Sequence, residues 1–395
     1  MSDTQKHTKP NVPNLRFPGF SGEWKQYTMG EITELFSRRN KNKVDYPMFS
    51  VTNARGFVNQ QEQFEDREMK GEDISAYKIV SPGEFAYNPA RINVGSIARY
   101  NGDKDCMISS LYVCFKAKKE LVDSQLLLHI LKSPKMVYNY GVNGEGGVRI
   151  YLFYPNFARI RVKLPSLDEQ RTIASFLDLI EERIQVQNKV IKDLIHVKKS
   201  ITKSLLNTRD IPGRVVTLGE ITEVITRRNK QRIVLPMYSV TNDIGFIPQS
   251  EQFEDREMVG EDIAAYKIIY NGEIAYNPAR INVGSIAQYT EDSPCMISSL
   301  YVCIKARPGV LSNWLIQILR SEQLINYYNL YAECGVRLYL FYPNFSKIKV
   351  FLPSIVQQKK VAYALEAIEA KIKLEASLLD SYQQAKQAIL SKMFI

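Results

Sequence analysis

The sequence predicts an α+β protein: two pseudo-repeated α/β domains separated by two long helices that form an antiparallel intramolecular coiled coil. Three observations predict it. An internal duplication runs through the 395 residues, each copy opens in short β-like runs broken by turn signals, and each copy closes in a heptad-patterned stretch. The duplication is nearly verbatim in places. Glu62–Met69 (EQFEDREM) returns as Glu251–Met258, Ala86–Ala98 (AYNPARINVGSIA) as Ala275–Ala287, and Cys106–Cys114 (CMISSLYVC) as Cys295–Cys303. Tyr87 recurs as Tyr276, an offset of 189 residues; Gly147-Val148-Arg149 recurs as Gly335-Val336-Arg337, an offset of 188. Tyr151–Phe157 (YLFYPNF) then recurs as Tyr339–Phe345. A period that long makes domains rather than a solenoid.

The predicted order is an N-terminal tail (1–20), a first domain (21–165), a long helix (166–208), a second domain (209–353) and a second long helix (354–395). Each domain opens on Gly30-Glu31-Ile32-Thr33 or Gly219-Glu220-Ile221-Thr222. Short strands follow, with Met48–Thr52 and Ser109–Lys116 as examples, bounded by turn pairs such as Pro82-Gly83, Asn88-Pro89 and Asn101-Gly102. A helical stretch is expected near Ser124–Asn139. After Leu164-Pro165, Ser166 reads as an N-cap with Glu169 as its capping-box partner.

The apolar period then becomes 3.5 residues. The first stripe is Ile173, Leu177, Ile180, Ile184, Ile191, Leu194, Ile201 and Leu205; the second is Val361, Leu365, Ile368, Ile372, Leu379, Tyr382, Ile389 and Met393. Such stripes fit a coiled-coil seam, and each helix of roughly 40 residues extends about 60 Å. Gln187, Lys198, Glu375 and Lys386 interrupt the stripes, either as solvated rim positions or as residues that set register. The expected register puts Lys198 opposite Glu375 and Gln187 opposite Lys386. Pairing within the chain is expected over pairing between chains, because the domain joining the helices keeps their effective concentration high. An antiparallel pair would carry a two-fold axis that presents the two domains in opposite orientations.

The chain carries 52 basic against 42 acidic residues, a formal charge of +10 and a pI near 9.1, which suits a polyanionic partner. Residues 1–13 are polar and lack a signal-peptide core, and no apolar run approaches a membrane span, so a cytoplasmic protein is expected. Five cysteines at long spacing and three histidines make neither a disulfide framework nor a zinc site; buried strand cysteines are expected.

Pro13–Trp24 (PNLRFPGFSGEW), the Gly-Glu-Ile openings, and the junctions Leu164-Pro165 with Gln170 and Leu352-Pro353 with Gln358 complete a pattern. With its duplicated domain-plus-helix plan, the chain resembles the specificity subunits of type I restriction–modification systems over nearly its whole length. Met29 against Leu218 and Glu169 against Gln357 are small departures between the copies. The resemblance implies two target recognition domains that each read half of a bipartite site on double-stranded DNA, and helices that set the spacing. It implies two methyltransferase subunits that dock on those helices and carry S-adenosylmethionine, separate motor–nuclease subunits, and no cofactor or catalytic residue in this chain.

Tyr87-Asn88-Pro89-Ala90 and Tyr276-Asn277-Pro278-Ala279 approach the Asn-Pro-Pro-aromatic motif of DNA adenine methyltransferases but lack its second proline and its aromatic, so they read as turns. Gly144–Gly147 lacks phosphate-loop spacing, and no Walker lysine or HExxH is present. A single-chain methyltransferase or nuclease, and a coiled-coil scaffold that binds no DNA, stand as the competing classes.

Arg91, Asn93 and Ser96, with copies Arg280, Asn282 and Ser285, are the first DNA-reading candidates, since Arg grips guanine and Asn grips adenine by paired hydrogen bonds. The alternative is an internal Arg–carboxylate pair. Arg149 and Tyr151, with Arg337 and Tyr339, come second. The basic run Arg38, Arg39 and Lys41, with Arg227, Arg228 and Lys230, suits phosphates, or is simply a solvated face. Ser50, Thr52 and Asn53, with Ser239, Thr241 and Asn242, lie on a strand that leads into a turn.

Overall fold

A computed structural model describes residues 11–60, 73–146, 150–207, 212–249, 263–333 and 338–394. The Glu62–Met69 and Glu251–Met258 repeats, Arg149, Arg337, Cys334 and the Leu205 side chain lie outside the described residues. The chain forms two compact units: Met1–Val186 with Leu378–Ile395, and Gln187–Ser377.

In the first unit, β1 (Lys25–Thr28) pairs antiparallel with β10 (Arg161–Leu164), bringing both ends of the domain together. The Gly-Glu-Ile-Thr opening is one helical turn, α1 (Met29–Ile32), capped by Thr28 and Glu31 in a capping box. Two four-stranded sheets follow. One has the order β2 (Thr33–Phe36), β9 (Val113–Ala117), β6 (Phe85–Tyr87), β7 (Ile97–Arg99); the other has β4 (Gly56–Asn59), β3 (Met48–Thr52), β8 (Cys106–Ile108), β5 (Lys78–Val80). The β3–β8 pair is parallel and the others are antiparallel. Ser109–Tyr112 is a turn rather than strand, because Tyr112 N–H folds back onto the Ser109 carbonyl at 3.1 Å. The expected single helix is two, α2 (Ser124–Leu131) and α3 (Pro134–Asn143): Pro134 cannot continue a helix, and the Ser133 hydroxyl caps the second. A short α4 (Tyr154–Arg159) completes the domain.

The second unit repeats the plan. Its two-stranded sheet pairs β11 (Gly213–Thr217) with β20 (Lys349–Pro353), around the capped turn α6 (Leu218–Ile221). Its four-stranded sheets are β12 (Thr222–Ile225), β19 (Val302–Ala306), β16 (Ile274–Tyr276), β17 (Ile286–Gln288), and β14 (Phe246–Pro248), β13 (Met237–Val240), β18 (Cys295–Ile297), β15 (Lys267–Ile269). Helices α7 (Ser312–Leu319), α8 (Glu322–Tyr331) and α9 (Tyr342–Phe345) follow.

The long helices are α5 (Leu167–Asn207, 41 residues) and α10 (Ile355–Met393, 39 residues). The junction glutamines explain how each grips its domain. Buried Gln170 accepts from Asp123 N–H at 2.8 Å and donates to the Leu121 and Pro165 carbonyls at 3.0 Å each. Gln358 repeats this with Leu311 N–H and the Gly309 and Pro353 carbonyls. Ser166 caps only weakly, at 3.4 Å to Glu169 N–H, and the Glu169 carboxylate does not close the expected capping box. Arg16 takes it in a fork at 2.8 and 2.7 Å, which gives the N-terminal Pro-Asn-Leu-Arg segment a structural role.

The helices run antiparallel in each unit. In the first, Ile173 and Leu177 of α5 share a core with Leu390 and Met393 of α10, Lys386 pairs with Glu181, and Arg183 lies 5.5 Å over the Tyr382 ring. In the second, Ile201 packs on the core holding Val361, Ala362 and Leu365, and Lys198 pairs with Glu369 at 2.5 Å. The other predicted stripe residues, Ile180, Ile184, Ile191, Leu194, Ile368, Ile372, Leu379, Tyr382 and Ile389, are half-buried along their helices. The expected register is corrected. Glu375 meets Gln187, eleven residues earlier on α5 than Lys198 and about three turns away. Apolar packing decides this, since only the observed alignment brings Ile173 and Leu177 beside Leu390 and Met393.

Candidate nucleic-acid interface

Four segments converge on the C-terminal end of β3, and four equivalents converge on β13. The first is the turn Asn88–Ser96. The Asn88 side chain accepts from Ala90 N–H at 3.0 Å, Ile92–Val94 forms one 3-10 turn, and Gly95 reverses the chain at φ +94°. Buried Ser96 donates its hydroxyl to the Val51 carbonyl at 2.7 Å, as Ser285 does to Val240. Ser96 and Ser285, named among the first DNA-reading candidates, therefore fix the turn and have their side chains withdrawn from solvent. Arg91 and Arg280 are exposed at the start of the 3-10 turn. Asn93 is half-buried, and Asn282 donates to Asn329 at 3.0 Å.

The second segment is the turn Ser109–Tyr112. The Tyr112 hydroxyl accepts from Val51 N–H at 3.3 Å, so Val51 is held by the first turn through its carbonyl and by the second through its amide. Tyr301 does the same for Val240 at 3.2 Å. The turn tips expose Leu111 and Leu300 almost fully, at 79% and 80%. Sequence reasoning missed these leucines because they sit in apolar runs that read as buried strand.

The β3–β4 hairpin tip is the third segment. Asn53 and Asn242 are exposed there, while Ser50 and Thr52 are half-buried. The tip touches the first turn: a side-chain carbon on Gly95 would lie 3.4 Å from Asn53 Cβ. The fourth is the basic run. Arg39 and Arg228 bridge to Lys78 and Lys267 of β5 and β15, whose amines hold the Tyr112 and Tyr301 carbonyls at 2.6 Å. Arg39, Lys41, Arg228 and Lys230 are exposed. Arg38 and Arg227 are committed to the fold. Arg38 pairs with Glu84 over the Phe36 ring, and Arg227 grips Glu273 at 2.7 Å over the Tyr270 ring. Buried Asn40 and Asn229 staple the loop between, each bridging both backbone groups of a residue four positions on.

Tyr151 lies beside these segments, tied in by Leu152 N–H to the Pro89 carbonyl at 3.0 Å. It stacks on Phe153 with centroids 6.2 Å apart, and Tyr339 stacks on Phe341 at 5.9 Å, all four being exposed. Phe153 and Phe341 were illegible as surface residues because an aromatic beside a helix start reads as core. Tyr87 and Tyr276 are fully buried, so the Tyr-Asn-Pro-Ala segments present no aromatic to a base. Burial pushes the Cys106, Cys114, Cys295 and Cys303 thiols up to about 12, leaving them neutral packing groups.

In the first unit an open cleft of about 830 Å³ runs between the hairpin and the helix pair. Arg55, Arg99, Lys132 and Lys386 line it with Asp178, Glu181 and Glu182. His129 meets Asp178 at 2.8 Å, and burial lowers the histidine's pKa. No described helix is long and apolar enough to cross a membrane.

Exposed basic, amide and aromatic side chains thus gather on a hydrogen-bonded frame, and the chain can be set beside known proteins. Residues 21–196 match the family described as the Type I restriction modification DNA specificity domain. A Methanocaldococcus jannaschii protein described as a type I restriction enzyme MjaX specificity subunit is 21% identical, over 98% of this chain and 96% of its own length. The fold is shared with a crystal structure of the type I restriction–modification system S subunit from M. genitalium, with TM-score 0.60, 14% identity, and coverage of 97% of this chain and 99% of that one. It is shared also with a chain from a study of complex assembly and conformational transition of the type I R-M system, with TM-score 0.58, 17% identity, and coverage of 96% and 98%. The chain is thus similar to type I restriction–modification specificity subunits, through the family match over residues 21–196 and through a relative aligned along nearly its whole length.

Proposed function

We propose that the chain reads a bipartite, nearly palindromic site on double-stranded DNA, with residues 21–165 and 209–353 as its two target recognition domains. One observation carries this reading: the same hydrogen-bonded frame around Val51 and Val240 presents Arg91, Asn53 and Arg39 in one unit and Arg280, Asn242 and Arg228 in the other. Near-identical readers take near-identical half-sites, and on antiparallel helices those half-sites fall on opposite strands. Arg91 and Arg280 contact bases, and Arg39, Lys41, Arg228 and Lys230 contact phosphates. Tyr151 and Tyr339 with their stacked partners supply flat apolar surface beside them.

The chain acts in the cytoplasm as a recognition subunit without chemistry of its own. Two methyltransferase subunits dock on its helices and bring S-adenosylmethionine, and motor–nuclease subunits join them. Sequencing of methylated adenines in a host carrying this chain and its methyltransferase subunits tests the reading. The expected result is two near reverse-complementary elements across a fixed spacer. Two unrelated half-sites refute the near-palindrome, and methyl transfer by the purified chain alone refutes the division of labour.

A further inference from the structure

The recognition frames are near-duplicates that differ at exposed positions in two places: beyond the basic run, where Asp45 stands against Val234, and at the hairpin tip, which alone of the two lies against the Arg91–Ser96 turn or its copy. Asn53-Ala54-Arg55-Gly56 in the first unit stands against Asn242-Asp243-Ile244-Gly245 in the second. The backbones match. Thr52 Oγ1 donates to the Gly56 carbonyl at 3.2 Å and accepts from Arg55 N–H at 3.1 Å; Thr241 does the same for Gly245 and Ile244, at 3.3 Å each. Both glycines lie at positive φ against an alanine, Ala98 or Ala287, with room for no larger contact. The tip therefore holds one shape in both units while its outermost side chains change.

Asp243 is spent on that shape. The Thr241 hydroxyl, and then the backbone of Asp243 and Ile244, hold its carboxyl below the usual carboxylate range. The residue presented outward is Ile244, two-thirds exposed, where the first unit presents exposed Arg55. Both follow by two positions an asparagine that touches the Arg91–Ser96 turn or its copy. A rigid frame with a variable tip is the usual way to change specificity without refolding.

We infer that Arg55 and Ile244 are the specificity-determining pair that makes the two half-sites unlike. Arg55 selects guanine through its O6 and N7 acceptors, and Ile244 selects thymine through its methyl group at the equivalent position. This rests on the proposed reading of a bipartite DNA site, and it breaks the palindrome at one defined place.

The test is methylated-adenine sequencing in a host lacking other adenine methylation, with the chain co-expressed with the methyltransferase subunits of its own system. Methylation by the unaltered chain establishes the bipartite reading; its absence overturns that reading and this one with it. Ala54→Asp/Arg55→Ile then changes guanine to thymine in one half-site and leaves the other intact. Asp243→Ala/Ile244→Arg makes the reverse change in the other half-site. All four exchanges together return the original motif, because the same duplex is then read from its other strand. Arg55→Gln, which keeps every backbone bond of the tip, lowers the preference for guanine by roughly 5- to 150-fold, the discrimination of one bidentate contact. An unchanged motif in the exchanged chains, or undiminished guanine preference in Arg55→Gln, overturns the inference and leaves Arg55 as one of the cations lining the mixed-charge cleft.

Discussion

Replacing Gln187 by leucine tests what holds the two long helices in register. Gln187 and Glu375 are 4% and 9% exposed, and the Gln187 amide donates both to the Glu375 backbone carbonyl at 3.0 Å and to its carboxylate. The substitution removes a hydrogen bond to a buried charge, a loss of about 1.5–3 kcal/mol, although Lys371 still meets that carboxylate at 2.5 Å. Glu375→Leu costs less, about 1 kcal/mol, because the amide keeps its bond to the backbone carbonyl. Gln187→Leu/Glu375→Leu removes both polar groups and is neutral or stabilising. The double-mutant cycle, read by urea unfolding of helical circular dichroism, should give a coupling of at least about 1 kcal/mol. The register itself should survive. Leu390 and Met393 are buried in the first unit's core, each contributing about 1.5–3 kcal/mol, and Val361 and Leu365 do the same in the second. A helix slip would expose all four. The spacer in the methylated target should therefore be identical in wild type and double mutant. A single substitution without cost, or a second spacer length in the double mutant, would refute the reasoning.

Three further outcomes follow from the same geometry. Arg39→Ala should weaken DNA binding evenly across sequences and reduce the slope of log affinity against log salt by about 1, whereas Arg91→Ala should relax one base position at a cost of about 1–3 kcal/mol; binding titrations at several salt concentrations separate the two. Gln170→Ala strips three hydrogen bonds from the junction of domain and helix and should destabilise the first unit by at least about 2 kcal/mol, visible as earlier urea unfolding of that unit than in Gln358→Ala. In a Cys334→Ser background the buried thiols, raised from about 9 to about 12, should resist alkylation until the chain unfolds. Because the folded state holds these protons more tightly, their contribution to stability is full below about pH 9 and declines as pH rises toward 12. Fast labelling of the native chain at pH 8 would count against the packing described for β8, β9, β18 and β19.

The duplication made the fold legible, since one reading of the pattern served twice and each half checked the other. Periodicity found both helices and their stripes, because a seam that must stay dry leaves a period of 3.5 in the sequence. It could not find Arg16 as the partner of Glu169, 153 positions away, and so credited Glu169 to a local cap. The candidate interface was legible in part. Arg91, Asn53 and Arg39 are exposed, as their chemistry suggested, but Ser96 and Arg38 belong to the frame. Residue type alone does not distinguish an arginine offered to solvent from one that closes on a carboxylate 46 positions on. Leu111 and Phe153 were hidden for the opposite reason: apolar residues on the surface look, in sequence, like those buried for stability.

The helix register also shows why a duplicated chain needs few special residues to align itself. Lys198 and Lys386 are repeat equivalents, as are Glu181 and Glu369, each 188 positions apart. Any antiparallel contact between equivalent helices then occurs twice, and the ion pairs Lys198–Glu369 and Lys386–Glu181 are one interaction written once and used in both units. Such self-complementarity has a single awkward place, where a position meets its own equivalent. Here that place is Gln187 against Glu375, also 188 apart. Had duplication left glutamate at both, two carboxylates would share a buried site, which costs several kcal/mol unless one takes up a proton. An amide against a carboxylate removes the repulsion and gives the charge a donor. The one seam position where the copies must differ is one where they do, and reverting Gln187 to Glu should raise the pKa of one carboxylate and make helix pairing strengthen as pH falls. Helix pairing independent of pH between 4 and 8 in that variant would show that the two side chains do not meet.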